Sequence, residues 1–198
     1  MPFYQIENRE GVGTGRAFMP QERIKWGVNW PKSGTQIIIV GIGNEYRGDD
    51  DIGPFIARKL QTMNLPRTHV KVQNGEGTSL MESWKGADMV ILLDAVNSGA
   101  TPGKTYRLSA HTEPIPSGMF NYSTHNFSVV EAVELARTLK QLPPCLIIYG
   151  IEGKSFGEGT GISPEVKKAA EDVMKRVIQD VYEALNQVIR PVVGKKHS

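Results

Sequence analysis

The sequence predicts a three-layer α/β sandwich, with a largely parallel central sheet flanked by helices. Three observations carry this. The continuous apolar runs Ile37-Ile-Ile-Val40, Met89-Val-Ile-Leu-Leu93 and Leu146-Ile-Ile-Tyr149 have the length of strands covered on both faces. Stretches of helical period separate them, each with an apolar stripe and a polar face. Alternating strands and helices build parallel sheets, whose sites form beyond the carboxyl ends of the strands.

The chain opens with a segment of different character. Residues 1–35 carry Gly11, Gly13 and Gly15, which read as a loose arm. Ile24, Trp26, Val28 and Trp30 then alternate with Arg23, Lys25, Gly27 and Asn29, the period of a short half-buried strand. Pro31, Ser33 and Gly34 separate this extension from a single α/β domain over residues 36–190, and residues 191–198 form a polar tail.

Within the domain, Ile37–Val40 is the first strand. Ile52, Phe55, Ile56, Leu60 and Met63 recur at helical spacing, with Pro54 in the first turn, where its missing N–H costs nothing. His69–Gln73 reads as a second strand. Ser79-Leu-Met-Glu82 has the form of a capping box for a short helix that Gly86 closes. Met89–Asp94 is the next buried strand, ending at Asp94, and Thr105–Leu108 is another after the Pro102-Gly103 turn. Ser128-Val-Val-Glu131 is a second capping box, leading into a helix that carries Val129, Val133 and Ala136 and ends near Pro143. Leu146–Tyr149 is a strand. Ser163-Pro164 starts the last helix, with Val166, Ala170, Val173, Val177, Val181, Leu185 and Val188 as its buried stripe.

Composition narrows the classes of function. A chain of 198 residues with 39% hydrophobic and 22% charged residues suits one soluble domain with a sizeable core. The net charge of +2 is dispersed, so no nucleic-acid partner is expected; the basic run Lys195-Lys196-His197 reads as a solvated tail. No apolar run approaches a membrane span, and no signal-peptide hydrophobic region opens the chain. A single cysteine, Cys145, precludes an internal disulfide and fits a cytoplasmic protein; its apolar setting reads as packing. A monomer needs no further assumption.

The chemistry is concentrated in three loops. Gly41-Ile-Gly-Asn44 begins like a dinucleotide fingerprint, but Tyr46 stands where the third glycine belongs. Asp49, Asp50 and Asp51 then occupy the start of the helix, where a phosphate would be repelled. No nucleotide is therefore expected, and a cation suits the place better. Asp94 closes the central strand, and His125 lies in Tyr122-Ser-Thr-His-Asn126, ahead of a helix. Two carboxylates and one imidazole suit nickel, zinc or another borderline divalent ion and leave coordination positions open. Each group also has an ordinary role available: Asp50 or Asp51 as a helix cap, Asp94 bonded to loop amides, His125 as a capping or surface residue. No His-Glu-x-x-His motif is present, which argues against a permanently zinc-loaded protease helix. His69 and His111 have no acidic motif beside them.

Over about residues 36–190 the sequence resembles the hydrogenase maturation endopeptidases, which trim the large subunit of nickel–iron hydrogenases. The resemblance rests on Gly41-Ile-Gly-Asn44, Asp49-Asp50 with Ile52-Gly53, Asn74-Gly-Glu-Gly-Thr78, Leu93-Asp-Ala-Val96, Ser123-Thr-His125, Tyr149-Gly-Ile-Glu152 and Gly161-Ile-Ser-Pro164. It implies a peptidase that removes a C-terminal extension from a nickel–iron hydrogenase large-subunit precursor after nickel insertion. Nickel would be carried by the substrate. Asp50, Asp94 and His125 would contact the metal and carry the catalysis, with Asp49 orienting a ligand from behind. Asp51 departs from the family's pattern, where a small residue is common, so the ligand could shift among Asp49, Asp50 and Asp51. A non-catalytic nickel sensor or chaperone on the same fold is the competing expectation, and the supply of four His and one Cys speaks against it.

Overall fold

Residues 34–115 and 129–189 are described in the computed structural model, with side chains through residue 186 in the last helix. They contain five strands: β1 (Ile37–Ile42), β2 (Thr68–Gln73), β3 (Met89–Val96), β4 (Thr105–Ser109) and β5 (Cys145–Glu152). Four helices accompany them: α1 (Ile52–Thr62), preceded by a 3₁₀ turn over Gly48–Asp51, then α2 (Gly77–Ser83), α3 (Val129–Thr138) and α4 (Pro164–Ile189). The extension's expected strand at Ile24–Trp30, the box at Ser128, His125 and the polar tail lie outside the described residues. Among the described residues, no helix is long and apolar enough to cross a membrane.

One sheet runs in the order β2-β1-β3-β5-β4, parallel except for β4, which pairs antiparallel with β5 at the edge. Its pleat sorts the apolar runs into two cores, because successive side chains point to opposite faces. Ile37, Ile39, Met89, Ile91, Leu93, Cys145 and Ile147 meet α1 and α4 on one side. Ile38, Val40, Ile42, Val90, Leu92, Leu146 and Ile148 meet α2 and α3 on the other. The strands are apolar on both faces because both faces are covered, and each fully buried aliphatic side chain contributes about 1.5–3 kcal/mol. The expected stripe of α4 is buried from Val166 through Val181, with Ala184 added and Leu185 packed at its margin.

Several strands run one to three residues beyond the sequence expectation, β5 the furthest, from Cys145 to Glu152, and three differences are of another kind. Asp94 does not end β3, which continues alongside β5 as far as Val96↔Glu152. The helix α3 stops at Thr138, and Lys140 takes a left-handed turn (φ 56°) before Pro143. The capping box at Ser79 does not form; α2 starts earlier, and its cap is Glu76, whose carboxylate accepts from the backbone N–H groups of Thr78 (3.1 Å) and Ser79 (2.8 Å). Bonds from Ser79 and Thr78 hold the Glu76 carboxyl down at about 2, well below its ordinary range.

Candidate functional site

The strand order reverses between β1 and β3. From β1 the chain passes through α1, on one face, to β2; from β2 it passes through α2, on the other face, to β3. The crevice beyond the carboxyl ends of β1 and β3 is thus the topological switch point, the usual place for a site in such a sheet. Pairing of β1 with β3 ends at Gly41↔Leu93, so Asp94 stands one residue past the point where β1 turns away.

The glycines of the opening motif serve packing. A Cβ on Gly53 would come within 2.3 Å of the carbonyl oxygens of both Ile42 and Leu93, so only glycine lets α1 start directly on the ends of the two strands. Gly43 has φ +141°, and a Cβ there would lie 1.8 Å from the carbonyl oxygen of Asp50. The acidic turn is therefore folded back onto the end of the strand that precedes it.

Within that turn the three aspartates have separate fates. Asp49 is fully buried, and its carboxylate accepts from the backbone N–H groups of Lys154 (2.7 Å), Ser155 (2.9 Å) and Ser163 (2.6 Å) and from the Ser163 hydroxyl (2.9 Å). It ties the acidic turn to the loop between β5 and α4. Asp51 forms a 2.6 Å ion pair with Arg58, two turns along α1. Asp50 accepts from the Asn44 backbone N–H at 3.1 Å and lies near enough to Asp94 to act on its charge. Replacement of Asp49 by alanine strands three amides and a hydroxyl, and hydrogen bonds to a buried charge are each worth about 1.5–3 kcal/mol. Asp49→Ala is expected to lower stability by about 3 kcal/mol or more; urea titration that finds under 1 kcal/mol would refute this role.

Asp94 itself retains some exposed surface, but its carboxyl is enclosed enough for burial to raise its proton affinity well above the ordinary carboxylate range. The neighbouring Asp50 raises it further, and a 2.8 Å bond from the Ala95 backbone N–H opposes both. Two carboxylates that disfavour each other's charge suit either a shared proton or a cation. Among the described residues, no group of three His, Cys, Asp or Glu gathers to hold a metal. His125, the expected third member, precedes the first residue of α3 by four positions in sequence and lies outside the described residues.

Sequence reasoning missed two buried polar networks. Glu152, in the motif Tyr149-Gly-Ile-Glu152, accepts from the Ser98 N–H (2.7 Å), the Ser98 hydroxyl (2.8 Å), the Ala100 N–H (3.1 Å) and Tyr106 (3.2 Å), fixing the turn after β3. Its signal was a carboxylate at the end of an otherwise apolar strand. At the same edge but on the α4 face, Asp180 of α4 accepts from Tyr149 (2.8 Å) and pairs with Arg107 (3.1 Å). Nothing in the local sequence links those three. Cys145 is fully buried, and burial, with Asp180 nearby, pushes its thiol up to about 12, which leaves it inert. His69 is exposed and His111 bonds the Leu146 backbone, both away from the crevice. A cavity of about 420 Å³ lined by Met81, Trp84, Leu142 and Pro143 opens at the amino ends of the strands, also away from it.

Comparison with known proteins agrees with this architecture. A family profile described as hydrogenase maturation protease, HycI, matches residues 54–180. The hydrogenase expression/formation protein HupD of Thiocapsa roseopersicina is 24% identical over 151 residues, covering 75% of this chain and 68% of that protein. The hydrogenase 2 maturation protease of Escherichia coli is 23% identical over 152 residues, covering 75% and 92%. Among solved structures, the [NiFe] hydrogenase maturation protease HycI of Thermococcus kodakarensis superimposes with a TM-score of 0.58 at 22% identity, over 75% of this chain and 93% of that one. The hydrogenase maturating endopeptidase HybD of E. coli gives 0.59 at 20% identity, over 76% and 94%.

Proposed function

The chain belongs to the hydrogenase maturation protease family and is an endopeptidase of hydrogenase maturation, and from that premise we propose that it removes the C-terminal extension of a nickel–iron hydrogenase large-subunit precursor, recognising nickel already seated in that precursor. The observation that carries this reading is the pairing of Asp94 with Asp50 at the switch point, where each carboxylate disfavours the other's charge. A cation presented by the substrate relieves that repulsion, so the site favours a precursor that holds its metal over one that does not. His125 completes the set with a neutral nitrogen ligand suited to nickel.

In this mechanism Asp50, Asp94 and His125 hold the precursor by its metal and bring the adjoining peptide bond into the crevice. The metal polarises the carbonyl or the attacking water. Whichever carboxylate oxygen of the pair is left outside the metal's coordination is placed to take a proton from that water and return it to the leaving amine. Asp49 acts from behind: by fixing the acidic turn to the β5–α4 loop it holds Asp50 in place.

Nickel gating is the test. Intact-mass analysis of a matched precursor incubated with this protein is expected to show loss of a C-terminal peptide from the nickel-loaded form alone. Equal cleavage of the nickel-free form would sink metal recognition, and tight nickel binding with no cleavage of either form would replace the peptidase reading with a sensor.

A further inference from the structure

Beside the crevice stands a feature that metal recognition does not use. Tyr46, in the turn between Gly43 and Asp50, is 72% exposed, the most exposed large apolar side chain among the described residues. Several of the others are remote from the site: Met63 follows the carboxyl end of α1, and Leu139 follows that of α3. Scattered apolar side chains of that kind need no explanation. Tyr46 differs in how it is held.

The turn that carries it is fixed on every side. The Tyr46 N–H donates to Asn44 Oδ1 at 3.0 Å, and the Arg47 N–H donates to the Asn44 carbonyl at 3.1 Å. From the facing loop, the Gly159 N–H donates to the Tyr46 carbonyl at 3.0 Å. Below, the Asn44 N–H donates to Asp50 Oδ2, and Asp49 bolts the turn to Lys154, Ser155 and Ser163. The backbone under Tyr46 is therefore ordered before anything binds, while the ring itself is offered to solvent. This is the arrangement of a recognition anchor: the ordering entropy is already spent, and the amphipathic ring supplies contact area with only two side-chain torsions to freeze.

Tyr46 is also placed by the chemistry. The Asn44 that fixes its backbone is bonded to Asp50, so the turn that bears the ring is tied to the carboxylate pair. A partner that presents a metal to Asp50 and Asp94 approaches the same turn that offers the ring to solvent. We infer that Tyr46 is a docking anchor for the large-subunit precursor, engaging the protein surface beside the seated metal and setting affinity for the substrate apart from the bond-breaking step. The inference rests on the substrate reading above.

The experiment measures precursor binding by calorimetry and steady-state cleavage of the nickel-loaded precursor, for the wild type, Tyr46→Ala, Tyr46→Phe and the remote control Leu139→Ala. Loss of a central aromatic anchor typically weakens an interface by about tenfold or more. Tyr46→Ala is therefore expected to raise Kd and KM by about tenfold or more with kcat held within about twofold. Tyr46→Phe keeps the ring and stays within about threefold, Leu139→Ala matches the wild type, and melting temperatures are unchanged because Tyr46 is exposed. If the wild type binds and cleaves the precursor while Tyr46→Ala does so with unchanged Kd and KM, the anchor is overturned and the substrate reading stands. If the wild type neither binds nor cleaves it, the reading falls and the anchor with it. Sedimentation of a wild-type dimer that Tyr46→Ala splits would assign the ring to a second copy of this chain and likewise overturn the inference.

Discussion

Asp94→Asn is expected to lose activity and gain stability at once. Cleavage of the precursor should fall by about 10²- to 10⁴-fold, the range for removal of a positioned acid–base group. The gain follows from the sign of the shift. Burial, and then Asp50, raise the folded carboxyl's proton affinity above the value of 3.8 it has in open chain. A group raised in the folded state costs nothing when protonated, and it destabilises the fold as pH climbs through its folded value. Above the open-chain value the carboxyl is a burden to the fold, whether it is ionised in this setting or held protonated, whereas asparagine keeps the acceptor for the Ala95 N–H and carries no charge. Calorimetric melting across pH should show Asp94→Asn more stable than the wild type at pH 7, with the gap closing as pH falls towards the open-chain value of 3.8. An inactive variant that melts below the wild type at neutral pH would remove the electrostatic account of this site. An active one would remove its role in the reaction. Sites that keep such a burden do so because function requires it.

The largest loss of stability is expected at the β4 edge of the sheet. Asp180 is 3% exposed, and its carboxylate accepts from Tyr149 and binds Arg107 through both forks of the guanidinium at 3.2 Å. Burial still raises its proton affinity, although Arg107 and Tyr149 both oppose the rise. The network is therefore a pair held at high desolvation cost, and it fails badly when half is removed. Asp180→Ala should cost about 3–5 kcal/mol, because it removes the carboxylate that faces both the half-buried Arg107 charge and the buried Tyr149 hydroxyl. For a chain of this size that is a fall in melting temperature of roughly 10 °C. The double variant Arg107→Met/Asp180→Leu replaces both partners with apolar groups and should lose clearly less than the single one. A single variant that costs under 1 kcal/mol, or a double one that costs as much as the sum of its parts, would show that the pair is not coupled.

The two cases mark how far local sequence reaches. The sheet was legible because its strands are apolar on both faces, and only a strand covered on both sides tolerates a run such as Ile37–Val40 or Leu146–Tyr149. The helix α1 was legible because Ile52, Phe55, Ile56 and Leu60 recur at helical spacing, and Pro54 falls in the first turn, where it is tolerated. Asp94 was legible as a carboxylate in an apolar strand, a residue that needs a reason to be there. The short helix was misread at its start: Ser79 and Glu82 have the spacing of a capping box, but Glu76, two residues before Thr78, reaches the free amides first. Spacing alone does not say which of two competent acceptors wins.

What sequence alone determined about this protein is a parallel α/β sheet, the loops that bear its acidic groups and the family to which its ordered motifs point. These properties are written in consecutive residues, since periodicity, turns and caps act over a few positions. Only the tertiary structure decided which partners each aspartate has. Asp49, Asp50 and Asp51 are chemically identical neighbours, and they were separated by their partners: the Lys154–Ser163 loop and Asp94, far off in the chain, for the first two, and Arg58, two helical turns on, for the third. A carboxylate's role is set by whatever burial and charge surround it, and those surroundings exist only once distant segments have packed together.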